Sequence, residues 1–132
     1  MSKMTVEVVT PERVVYSGQA EMVIARGLQG EIGIMPNHMP LVTPLKTAPV
    51  RIKTEGDKEV KMAVSGGFME VRGDKVTILA ETAELPGDID VERAKAAKER
   101  AEKRLAEKYA ELDVKRAERA LQRAMARLDV AK

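Results

Sequence analysis

All nine glycines and all six prolines of this 132-residue chain lie at or before Gly87, and 45 residues follow with neither. Glycine and proline punctuate turns. Alanine, which supplies eleven of those last 45 residues, is the strongest helix former. The chain must therefore change class near "ELPGD", Glu84 to Asp88. The break predicts a turn-rich module over 1–84, a linker over 85–88 and a helical module over 89–132. Charge divides at the same place. Residues 1–87 carry 10 Lys/Arg against 11 Asp/Glu, or −1, and the remainder carries 13 against 10, or +3.

A net charge of +2 gives no global basic field to draw the chain onto nucleic acid. With no cysteine there is neither a disulfide framework nor a thiolate metal site. The first residues lack the apolar core of a signal peptide, and no run of about 18 apolar residues exists to span a bilayer. These features predict a cytosolic protein that docks on partners without inserting into a membrane.

Before the break, apolar and polar residues alternate with period two in "MTVEVVT", "RVVYSG", "AEMVIARG", "EIGIMP", "APVRIKT", "KEVKMAVSGG", "GFMEVRGD" and "KVTILAE". Short β-branched runs bounded by Gly, Pro or Asp read as strands. About eight of them predict a small antiparallel sandwich or barrel. "TEGDK" and "RGDK" read as hairpin turns, and "SGGF" (Ser65 to Phe68) as a turn that is too short for a phosphate loop. With one Phe and no Trp, the core falls to Val, Ile, Leu and Met.

The stretch from Met35 to Pro44 holds three prolines and two methionines. Proline stiffens a segment that makes no ladder hydrogen bonds, and methionine adapts to irregular partner surfaces. The loop reads either as a contact surface or as a connector whose methionines fold inward. His38 is the only histidine, so metal ligation would need oxygen ligands throughout, and an interface or structural role is expected. Ser17, Thr43 and Ser65 have no base-plus-orienter pattern beside them. No catalytic constellation is visible.

Helical period governs the second module. Ala94, Ala97, Ala101 and Leu105 recur at three- and four-residue steps, as do Ala117, Ala120, Leu121, Ala124 and Leu128. Two helices of about 20 residues, joined near "YAELD", form an antiparallel hairpin. Alanine lets helices approach closely but removes little apolar area from water, about 25 cal/mol per Å². Such a seam is marginal by itself. The hairpin is therefore expected to close only against something or around something.

Both helices open on one phrase, "IDVERA" at Ile89 and "LDVKRA" at Leu112, which aligns Asp90 with Asp113 and Arg93 with Arg116. The aspartates suit an N-cap or a first turn. Arg93, Arg100 and Arg104 form a stripe beside the first seam, and Arg116, Arg123 and Arg127 repeat it on the second helix. Clustered guanidinium groups favour phosphate. The alternative is a solvated charged face with i to i+4 pairs such as Glu99 with Lys103.

"VTPERVVYSG", "GEIGIMPNHMPL", "VSGGFMEV", "KVTILAE" and "RAMARL" together resemble the epsilon subunit of bacterial F-type ATP synthases over essentially the full length. "IDVERA" matches the Ile/Leu-Asp-x-x-Arg-Ala pattern of ATP-binding, Bacillus-like members. The resemblance implies a ten-stranded β-sandwich followed by a helical hairpin. It implies a non-catalytic rotor subunit on the cytoplasmic face of the bacterial membrane, docked on the gamma subunit and the ring of c subunits. The loop carrying Glu31 and His38 matches the part facing the c ring. The hairpin would be folded on the sandwich in one state. In another it would extend along gamma to the alpha and beta subunits and obstruct ATP hydrolysis.

The resemblance also carries an ATP site. Ile89 and Asp90 match positions beside adenine and ribose, Arg93 the motif arginine, and Glu84 a further contact. Arg100, Arg123 and Arg127 match the groups around the phosphates. No dedicated magnesium ligand set accompanies them, so whether magnesium comes with the nucleotide stays open. Two other readings compete: a static rotor piece whose hairpin never moves, and an RNA-binding hairpin. The latter is disfavoured by three aromatic residues (two Tyr, one Phe).

Overall fold

A computed structural model describes residues 3–107 and 111–132. Ten strands come first: β1 Met4–Val9, β2 Val14–Ala20, β3 Met22–Gly27, β4 Gly30–Ile34, β5 Leu41–Pro44, β6 Ala48–Lys53, β7 Glu59–Ser65, β8 Phe68–Arg72, β9 Lys75–Leu79 and β10 Thr82–Glu84. A 3-10 turn at Pro86–Asp88 leads to α1, Val91–Ala106, and α2, Glu111–Ala131. The expected connection at "YAELD" falls partly on residues 108–110, outside the described residues.

The strands make two five-stranded sheets, β2-β1-β9-β8-β5 and β10-β7-β6-β3-β4. Every pairing between these strands is antiparallel except β1 with β9, which is parallel. The alternation on each strand points one set of side chains inward. Met4, Val6 and Val8 of β1 thus meet Val23, Ile52 and Met62 of the facing sheet in one core. That core is built from Val, Ile, Leu, Met and Ala, and the lone Phe68 stands outside it, 53% exposed.

Two strands escape sequence periodicity because they are short. β5 lies at a sheet edge, where Pro44 is tolerated because its missing N–H faces away from the ladder. β10 covers three residues and holds to β7 through Ala83↔Val64. "SGGF" is a turn, as expected: Gly66 and Gly67 have φ of 66° and 106°. A Cβ on Gly67 would lie 2.0 Å from the Leu79 carbonyl oxygen. Only glycine fits there.

A hairpin latched to the sandwich

α1 starts where Asp90, the N-cap, accepts a hydrogen bond from the Arg93 backbone N–H at 3.0 Å. Asp113 lies in the first turn of α2. Ala94 and Ala101 of α1, with Ala117 and Ala124 of α2, are buried along the seam. α2 is the helix that packs on β6, β7 and the 3-10 turn, while α1 packs on α2. The contact is a small satellite core of Ala63, Ile89, Ala126 and Val130, separate from the core between the sheets.

Beside that satellite core, Arg127 Nε donates to Glu84 Oε1 at 2.5 Å. Arg123, one turn earlier, lines the same narrow cleft with Ser65 and Thr82. Ile89 is 9% exposed and its side chain belongs to the satellite core, while its N–H donates to Pro86 O at 3.3 Å. Asp90, Arg93 and Arg100 are exposed. The fold divides the residues singled out by sequence into two groups. Glu84, Ile89, Arg123 and Arg127 lie against the sandwich, and Asp90, Arg93 and Arg100 lie on α1.

Among the described residues, the guanidinium groups of Arg93, Arg100 and Arg123 make no ion pair. By the 3.6-residue period, Arg93 and Arg100 fall on the same flank of the hairpin as Arg116, Arg123 and Arg127. That donor set fits an anion with several oxygens. The pairing of Glu84 with Arg127 was not legible in sequence, since 43 positions separate them. Of the charged pairs offered by the alternative of a solvated face, Glu99–Lys103 is absent among the described residues, whereas Lys95 and Glu92 approach to 3.8 Å at i to i+3.

Met35 and Met39 are 58% and 78% exposed, so the loop presents its methionines outward while Ile34 is buried. His38 Nδ1 lies 2.7 Å from the Met39 carbonyl, and Glu31 is exposed on β4. A second surface was not foreseen residue by residue. In register across five strands run Val14, Val9, Leu79, Phe68 and Pro44. Val14, Phe68 and Leu79 are each more than half exposed. An apolar row of this kind on a sheet marks a contact surface. The signal was the isolated Phe68, whose place in the period-two pattern put it on the outer face.

Among the described residues no group of His, Cys, Asp and Glu is placed to hold a metal. No helix is long and apolar enough to cross a membrane.

The chain is thus a two-module protein, a β-sandwich with exposed apolar surfaces and a helical hairpin packed beside it. Residues 3–86 match the ATP synthase, Delta/Epsilon chain, beta-sandwich domain, and residues 88–132 match the long alpha-helix domain of the same chain. The chain belongs to the ATP synthase delta/epsilon chain family, among the bacterial epsilon chains. These are non-catalytic subunits. It is 98% identical over 132 residues to the ATP synthase epsilon chain of Brevibacillus brevis, covering 100% of each chain. It is 60% identical over 105 residues to that of Alkalihalophilus pseudofirmus, covering 80% of this chain and 78% of the relative. A chain of the Euglena gracilis mitochondrial ATP synthase has the same fold, with TM-score 0.84, 22% identity and coverage of 99% of this chain and 82% of that one.

Proposed function

We propose that this chain is a central-stalk subunit whose sandwich joins gamma to the c ring and whose hairpin restrains ATP hydrolysis when it opens. The observation that carries the proposal is the thinness of the latch. Among the described residues, one small cluster of two alanines with Ile89 and Val130, and one ion pair, hold α2 to the sandwich. At about 25 cal/mol per Å² such a contact contributes a few kcal/mol, so modest ligand or partner energies shift it. Support for docking comes from the row at Phe68 and Leu79, suited to gamma, and from the exposed Met35–Met39 loop beside Glu31 and His38, suited to the c ring. The chain would then lie peripherally at the cytoplasmic face of the bacterial membrane, with the extended hairpin reaching the alpha and beta subunits.

The regulatory ligand we propose is ATP. Arg100 and Arg123 would meet its phosphates, with Arg127 sharing its charge between the ligand and Glu84 and with Arg93 holding the start of α1 in place. Asp90 and the backbone beside Ile89 would border the ribose and adenine. When bound, the nucleotide supplies negative charge to a cluster that otherwise repels itself. A ligand held only by the closed hairpin stabilises closure by mass action.

The test is truncation before Ile89 in the assembled complex, followed by an ATP hydrolysis assay. A regulatory hairpin predicts faster hydrolysis than in the intact complex. Equal rates would leave the hairpin a static spacer.

A further inference from the structure

The hairpin has a second flank that the arginines do not use. Counting 3.6 residues per turn, Met125, Asp129 and Lys132 lie across α2 from Arg116, Arg123 and Arg127, with the Ala117–Ala124 seam between the two stripes. Here α1, α2 and the sandwich enclose an open cleft of about 410 Å³. That volume is in the range of small-molecule sites. It adjoins the narrow cleft of Arg123 and Arg127, and Thr47 and Ala126 line both.

The lining has a particular chemistry. Arg26 comes from β3, Lys98 from α1 and Lys132 from the residue after α2, and the one carboxylate among the lining residues is Asp129. Among the lining side chains three cations stand against one carboxylate. None of the three cations makes an ion pair among the described residues, although Lys98 is half-buried. Pro49, Met125 and Leu128 supply the apolar part of the lining. Convergent cations beside an apolar wall suit a small molecule with a phosphate at one end and an apolar body at the other.

We infer that this cleft is a second ligand site, for a small organic phosphate, formed only when the hairpin is closed. Arg26 and Lys98 are on different elements, and opening the hairpin would separate them. Occupancy therefore favours closure, by the same linkage as a ligand on the arginine flank but independently of it. Asp129 opposes binding by placing a carboxylate at the mouth. This inference rests on the reading that the hairpin opens and closes.

The test is a nuclear magnetic resonance titration of the full 132-residue chain with phenyl phosphate, with inorganic phosphate and sodium chloride as controls at matched ionic strength. Saturable shifts are expected at the amides of Lys98, Gln122 and Asp129, with phenyl phosphate binding more tightly than inorganic phosphate. Lys98→Gln with Lys132→Gln should weaken binding by more than about tenfold, since one hydrogen bond to a charged group is worth about that much by itself. Asp129→Asn should tighten it, and Arg100→Gln with Arg123→Gln should leave it unchanged. Shifts confined to the arginine flank, or insensitive to the Lys98 and Lys132 changes, would overturn the site. Hydrogen exchange separates the two readings. A protected α2 with no shift at Lys98 and Gln122 defeats only the second site. An α2 unprotected with or without phenyl phosphate defeats the site and the closure together.

Discussion

Glu84 at the end of β10 accepts a hydrogen bond from Arg127 on α2 across 43 positions of sequence, 2.5 Å from oxygen to nitrogen. This contact joins the last strand of the sandwich to the last turns of the hairpin. Its side chains are 28% and 31% exposed, so solvent weakens it only in part. Glu84→Gln and Arg127→Gln should each loosen hairpin docking by about 1 kcal/mol. A double-mutant cycle read by hydrogen exchange of α2 should show coupling between them. Additive effects would deny the latch.

Ile89 is the largest aliphatic side chain of the satellite core it shares with Ala126 and Val130. Ile89→Ala should cost about 2 kcal/mol of docking, the lower end for buried aliphatic truncation. The loss should appear as faster exchange in α2 with the protection of β6 and β9 unchanged. Ile78→Ala, in the core between the sheets, should instead lower the unfolding temperature of the whole sandwich.

Asp90→Ala removes the N-cap of α1 and should destabilise that helix by about 1 kcal/mol. Combined with Arg93→Ala, it should also weaken ATP binding measured by calorimetry. Unchanged affinity would place the nucleotide elsewhere.

Gly67→Ala sets a Cβ 2.0 Å from the Leu79 carbonyl oxygen at φ 106°, and should cost about 3 kcal/mol or more in urea unfolding. Gly73→Ala, at φ 59° with nothing within 4 Å, should cost only about 1 kcal/mol.

Phe68→Ser alters the exposed apolar row without touching the core. Folding stability should change by less than about 0.5 kcal/mol, while affinity for gamma in a pull-down or calorimetric assay should fall. Undiminished affinity would move the gamma-docking surface off this sheet.

Eight of the ten strands, both helices, the alanine seam and the Asp90 cap were legible along the chain. Each of these follows from local rules: glycine and proline exclude regular helix, alternation fixes a strand's two faces, and 3.6-residue spacing fixes a helix's seam. Tertiary structure alone decided the parallel neighbour of β1, the edge strand at Leu41–Pro44, the pairing of Glu84 with Arg127 and the burial of Ile89. These depend on which distant surfaces meet. A period read along the chain says which way a side chain points, but not what stands opposite it.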